Sequence, residues 1–305
     1  MTTLVVCQQL EKNYGRNKVL RKVDLSIEAG APVALVGANG AGKTTLLSLL
    51  CGYIQPDAGQ IRLLGQRPGS TALIGQLGAL PQDAQFDPDF RLKQQLSWMA
   101  RMQGMSQAAA DKDSCRVLES LDLTAQANEK VAALSHGMRK RLAIAQALLG
   151  SPKLVLLDEP TAGLDPVHSR ALRSLIQQLS ADCTFVISSH NLFELEQLCG
   201  TVLFMQQGQI RQQLSNQAEQ GQLQLVMEPC ETAQVTALLQ QLYGLSRWQQ
   251  DGAQQFQLEY DVLQHPDLDV QLLQALHQHQ LHYRQLSRGQ SLEQRLFQPH
   301  RKPAN

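Results

Sequence analysis

The chain has 305 residues, long enough for one large core and a smaller second domain. Its 27 Lys and Arg balance its 27 Asp and Glu, so no overall basic surface is available to grip nucleic acid, which is not expected as a partner. Six cysteines (Cys7, Cys51, Cys115, Cys183, Cys199 and Cys230) lie scattered without a C-x-x-C pair; this fits reduced thiols in a cytoplasm and supports neither a disulfide framework nor a zinc site.

The opening M-T-T-L-V-V-C-Q-Q-L has no basic region leading into an apolar core, so no signal peptide is expected. The longest apolar segments, such as residues 46–54, are far short of a bilayer span, and the chain is expected to be soluble by itself. Residues 3–10 and 22–28 alternate as strands, with Tyr14 placed in the turn Lys12-Asn13-Tyr14-Gly15 between them. Val33 to Val36 is a buried strand that stops at Gly37. The G-x-x-x-x-G-K-T spacing from Gly37 to Thr44 then leads into Leu46, Leu47, Leu49 and Leu50, apolar at helical intervals. Strand, glycine loop and helix is the context of a phosphate-binding loop. Gly37, Gly40 and Gly42 are expected to bring backbone N–H groups against phosphate oxygens, aided by the helix N-terminus. Lys43 is expected to bridge the β and γ phosphates, and Thr44 to offer its hydroxyl to Mg²⁺. With this loop close behind it, Tyr14 is read as a stacking platform for an adenine ring in preference to turn packing.

Residues 59–64 and 76–80 are further strands, the second running into Pro81-Gln82. From Arg91 to about Gln126 the apolar residues recur at helical spacing, which marks an inserted helical subdomain. At Leu134 the chain reads L-S-H-G-M-R-K-R-L, with Ser135 suited to cap a helix that stops at Gly150; a serine and a glycine at a helix start also make an anion site. Leu154 to Leu157 is a buried parallel strand ending in Asp158-Glu159, two carboxylates where open α/β sheets bind ligands. Asp158 can hold Mg²⁺ through water, and Glu159 can orient or deprotonate an attacking water. A turn from Pro160 to Pro166 precedes a helix over about 167–179, and Phe185 to Ser189 is another buried strand, ending at His190.

Together these residues resemble the nucleotide-binding subunit of the ATP-binding cassette (ABC) transporter family over roughly residues 1–214. In the family's order the chain carries the aromatic loop (Tyr14), Walker A (Gly37, Ala38, Asn39, Gly40, Ala41, Gly42, Lys43, Thr44, followed by Thr45), the Q-loop (Gln82) and the signature (Leu134 to Met138). Walker B (Leu154 to Asp158), the catalytic glutamate (Glu159), the D-loop (Gly163 to Asp165) and the switch histidine (His190) complete it. The resemblance implies an α/β P-loop NTPase: a RecA-like core with an antiparallel β subdomain and a helical subdomain over about 88–150. It also implies two copies stacked head to tail, each ATP lying between Walker A of one chain and Ser135, Gly137 and Asp165 of the other. Glu159 acts on the attacking water, His190 steadies the γ-phosphate, and Thr44, Gln82 and Asp158 serve Mg²⁺. Gln82 also couples the site to an integral membrane permease on the cytoplasmic face of the membrane. The usual signature is L-S-G-G-Q. Here Met138 replaces the glutamine, as in exporter members, and His136 replaces a glycine; hydrolysis is nevertheless expected. A soluble ABC ATPase acting on ribosomes or DNA and a non-hydrolysing scaffold are the competing readings. One cassette and no sustained heptad weigh against the first, and the intact motif set against the second.

Past Gly208 glutamine fills roughly a quarter of positions, yet apolar periodicity persists. Strands near 223–227, 255–260 and 281–286 with helices over 235–242 and 270–276 predict a small α+β domain over 215–305, closed by a helix at 291–297. The resemblance implies a ferredoxin-like regulatory or dimer-contact module. His277, His279 and His282 form H-x-H-x-x-H, read as polar surface because no Cys or paired carboxylate joins them. The tail 301–305 is expected to fray.

Overall fold

The computed structural model describes residues 2–288 apart from 83, 191–194, 196–197, 216–219 and 262–263. The chain divides into two compact units, Met1–Asn216 and Gln217–Asn305. The expected closing helix at 291–297 and the tail lie outside the described residues.

In the first unit β1 (Thr3–Tyr14), β2 (Asn17–Glu28) and β4 (Ala58–Leu63) form an antiparallel sheet in the order β2-β1-β4. Each buries an alternating set, such as Val5, Cys7 and Leu10 on β1, as a sheet covered on one face requires. A six-stranded sheet runs β5 (Leu77–Leu80), β6 (Leu154–Asp158), β7 (Thr184–Ser189), β3 (Val33–Val36), β8 (Thr201–Gln206) and β9 (Gln209–Ser215). Its first five strands are parallel and β9 is antiparallel. Strands β3, β6 and β7 are buried at every position, which explains the apolar runs Val33 to Val36, Leu154 to Leu157 and Phe185 to Ile187 within them. Helix α1 (Lys43–Leu50) buries Leu46, Leu47, Leu49 and Leu50 into the core shared by the two sheets. Helices α2 (Leu92–Met102), α3 (Gln107–Ser120) and α4 (His136–Ala147) make the inserted helical region, and α5 (Pro166–Leu179) follows β6. No helix among the described residues is long and apolar enough to cross a membrane.

The first hairpin corrects the sequence reading. Lys12 to Tyr14 are strand, not turn: Asn13 pairs with Lys18 and Tyr14 with Asn17, and β2 starts at Asn17. Polar residues at 16–18 hide the alternation, while Asp57 ties the strand end down by accepting from the Lys12 ammonium (3.0 Å) and the Asn13 N–H.

The second unit runs β10 (Gln220–Met227), α6 (Thr232–Gln241), β11 (Leu245–Gly252), β12 (Gln255–Asp261), α7 (Leu268–Gln278) and β13 (Tyr283–Arg288). All its pairings are antiparallel, in the order β11-β12-β10-β13. Leu223, Leu225, Phe256 and Leu258 of the sheet pack with Val235 and Leu239 of α6 and Leu268, Leu272 and Leu276 of α7. Strand β11 escaped the sequence reading because, at the sheet edge, it reads L-S-R-W-Q-Q-D-G, with Leu245 and Trp248 half-buried and its other residues exposed. His277 lies in α7, His279 caps it and His282 precedes β13. Among the described residues no group of three or more His, Cys, Asp or Glu converges as metal ligands.

Burial pushes the thiols of Cys7, Cys51 and Cys199 up to about 12, and that of Cys183 to about 11. Such thiols are neutral and unreactive at ordinary pH. With a colorimetric disulfide reagent at pH 8, the exposed Cys115 is expected to react at once, and Cys7, Cys51 and Cys199 only on unfolding. The sign for stability follows from the raised values: the contribution is full below about pH 9, where the unfolded thiol is also protonated, and is lost progressively towards pH 12.

Candidate functional site

The site begins with the sheet order. In the parallel register Val36 lies beside Ser189 and Asp158 beside Ser188, so the loops opening at Gly37, Glu159 and His190 leave three adjacent strands at the same end. That is the carboxyl edge, where open α/β sheets hold ligands. After β3 the chain turns into α1 through Gly42, whose φ of 107° excludes most side chains. No side chain caps α1, which leaves its first N–H groups available to an anion. Two of the loop glycines answer to packing as well as to a ligand. A Cβ on Gly37 would fall 2.2 Å from the Met205 carbonyl oxygen, and one on Gly42 2.9 Å from Leu20 Cδ2. Only Gly40 opens onto free space. Lys43 is 7% exposed; its Nζ donates to the Gly37 carbonyl at 2.8 Å and stands 3.7 Å from Glu159 Oε1.

At the end of β6, Asp158 and Glu159 are both buried. Glu159 adopts φ 48°, an unfavourable value for a residue with a long side chain, at the step from strand into loop. Ser188 holds that step: its hydroxyl accepts from the Glu159 N–H at 2.9 Å and donates to Asp158 Oδ1 at 2.5 Å. On the other side of Glu159, Oε2 meets His190 Nδ1 at 2.9 Å. Glu159 therefore sits between an ammonium and an imidazole, with one carboxylate oxygen towards each. Ser188 was not read from the sequence; the usable signal is a hydroxyl two positions before His190, on the strand beside β6. Ser188→Ala is expected to lower kcat about tenfold with little change in ATP affinity, because it frees the Glu159 backbone and leaves Asp158 short of a donor. Initial-rate kinetics and a binding titration check it.

A cavity of about 520 Å³ joins these residues. Asn17 and Val19 line it, together with Asn39, Gly40, Gly42 to Thr45, Ala162, Gln82, Glu159 and His190. Its size suits a nucleotide. Asn17 and Val19 were missed in the sequence because β2 was started too late. Tyr14, 52% exposed at the end of β1, is not among the lining residues. Neither are Ser135, Gly137 and Asp165, which stand at the starts of α4 and α5. The Ser135 hydroxyl accepts from the Met138 N–H at 3.3 Å as the cap of α4. Asp165 caps α5, accepting at Oδ1 from the N–H groups of Val167 and His168, both at 3.0 Å. The His168 N–H above all, and then its ring, hold the Asp165 carboxyl below the ordinary carboxylate range.

A family model described as ABC transporter matches residues 20–162. Nod factor export ATP-binding protein I of Burkholderia orbicola is 38% identical over 204 residues, covering 66% of this chain and 67% of that protein. The chain belongs to this family, the ATP-binding proteins of ABC transporters. The linearmycin resistance ATP-binding protein LnrL of Bacillus subtilis is 31% identical over 68% of each chain. Among solved structures, cbiO1 from Clostridium perfringens, part of the ABC transporter complex cbiONQ, superposes with a TM-score of 0.63 at 26% identity. That match covers 70% of this chain and 89% of cbiO1. The protein is thus an ATP-binding ABC ATPase.

Proposed function

We propose that two copies of this chain close head to tail on two ATP molecules and, by hydrolysing them, drive export through a separate integral membrane permease. The observation that carries the reading is the placement of Glu159 between Lys43 and His190 at the wall of the nucleotide cavity. In this reading the loop from Gly37 to Thr45 cradles the phosphates, with Ala38, Asn39 and Ala41 as well as its glycines in the cradle. Lys43 exchanges its carbonyl partner for the β and γ phosphates, and Tyr14 stacks on the adenine from the rim. Glu159 takes a proton from the attacking water, and His190 holds both Glu159 and the γ-phosphate in place. Ser135 and the Gly137 backbone meet the γ-phosphate of the other copy. Asp165, itself occupied in capping α5, shapes the loop that approaches that copy.

The Thr44 hydroxyl, the Gln82 carboxamide and the Asp158 carboxylate are hard oxygen donors of the kind a magnesium ion takes, and Thr44 and Gln82 border the cavity. When bound there, the ion supplies positive charge against the phosphate oxygens. The cassette is assigned to residues 1–214 and an accessory domain to 215–305. The β-α-β-β-α-β order and the strand order β11-β12-β10-β13 of the latter support a ferredoxin-like module. Export rests on Gly137-Met138 in the signature and on the export and resistance proteins among the relatives. The working place is the cytoplasmic face of the membrane, held there by the permease.

The test is to tag the chain, express it with its native neighbours, solubilise the membranes in mild detergent and identify the stoichiometric partners. A polytopic membrane protein is the expected result. Recovery only with ribosomes or nucleic acid would overturn the transporter reading.

A further inference from the structure

The signature departs from the family pattern at His136, and the structure gives that ring a place. A methyl group built on Gly163, in the loop before α5, would stand 3.3 Å from His136 Nε2. The reverse contact is also present. A methyl group built on Gly137, beside His136, would stand 3.0 Å from His168 Cδ2 and 3.6 Å from its Nε2. Each segment therefore offers a bare glycine to the other's imidazole. The half-exposed His168 ring has a partner in turn, since its Nδ1 meets Asp165 Oδ2 at 2.5 Å while Oδ1 of the same carboxylate caps α5. Neither His136 nor His168 lines the cavity around Lys43 and Glu159.

We propose that His136 and His168 are positioning residues that lock the start of the signature helix α4 to the start of α5, so that both segments present one rigid edge to the nucleotide held by the other copy. The inference rests on the head-to-tail reading above. Its physical content is that a loop edge placed against a reacting phosphate must hold its donors closely. Two interleaved ring-on-glycine contacts, with one ring tied to a helix cap, remove the independent motion of the two segments. Histidine at 136 thereby supplies a contact across to Gly163 that a glycine there lacks, while Gly137 accommodates the His168 ring.

The experiment is steady-state ATP hydrolysis by the permease-bound complex, with kcat and KM measured for the wild type, His136→Ala, His168→Ala and the double variant. ATP affinity of each chain is measured separately by titration. Either single change is expected to lower kcat about tenfold with KM and affinity within about twofold, since the chain's own glycine loop still binds ATP. The double variant is expected to lose no more than about the same tenfold, because one lock is broken once. Losses that multiply to about a hundredfold, wild-type turnover in both singles, or a rise in KM at constant kcat would overturn it. If His168→Ala does not fold, His136→Gly gives the same reading at an exposed side chain: a tenfold lower kcat supports the lock and an unchanged kcat sinks it. Glu159→Gln run in parallel separates the two ideas. Turnover surviving Glu159→Gln would refute the hydrolysis reading itself, whereas its abolition beside independent histidine effects would refute the lock alone.

Discussion

Glu159→Gln is expected to abolish ATP turnover, by roughly 10²–10⁴-fold, while ATP binding is retained or tightened. The carboxamide keeps the volume of the buried side chain but cannot accept a proton from water at neutral pH. The substitution also removes a negative charge 3.7 Å from the Lys43 ammonium and 2.9 Å from His190 Nδ1. Without that charge both groups are freer to turn to the γ-phosphate, which is why binding is not expected to suffer. Phosphate-release assays at saturating ATP, paired with a binding titration, check both halves. A variant that hydrolyses ATP at even a tenth of the wild-type rate would remove Glu159 from the proposed role.

Lys43→Ala is expected to fail one step earlier. The ammonium is nearly inaccessible to water, is held by the Gly37 carbonyl, and stands at the start of α1, where the proposed function puts the phosphates. A charge-assisted contact of this kind contributes about 1.5–3 kcal/mol, so ATP affinity is expected to fall roughly 10- to 100-fold. Turnover should fall further, by about another 10²–10³-fold, because the charge that develops on the γ-phosphate loses a preorganised donor. Truncation also removes the ammonium beside buried Glu159 and leaves the carboxylate its contact with the His190 ring. Lys43→Arg keeps the charge but brings a planar fork too large for a slot closed by backbone carbonyls, and is expected to rescue little. Isothermal titration with ATP separates the binding loss from the loss of turnover.

Most of the first unit was legible because its strands and loop obey local rules. Val33 to Val36 and Leu154 to Leu157 are apolar throughout because both faces of a parallel sheet are covered, and the glycine spacing after β3 admits few other structures. Ser135 caps α4, a short-range interaction that leaves its mark within four residues. What was not legible depends on partners distant in sequence. Ser188 acquires its place only because β7 lies beside β6, thirty residues away along the chain. Gly37 is required by a carbonyl oxygen at Met205, and Gly137 lies close against the His168 ring. Asn17 and Val19 line the cavity because the first hairpin continues through polar residues whose pairing no periodicity reveals. In the second unit β11 failed the same way: an edge strand rich in glutamine buries too little to be heard.

The central claim is that ATP holds two copies together with the chemistry at their shared edge, and it is tested most directly by weighing the full-length Glu159→Gln chain in solution. Light scattering after size exclusion, with and without millimolar ATP, should show a monomer without nucleotide and twice that mass with it. Adding Ser135→Ala should weaken the dimer, since in the proposed arrangement the hydroxyl that caps α4 also meets the other copy's phosphate. A chain that binds ATP by titration yet keeps its monomer mass at every ATP concentration would contradict the account.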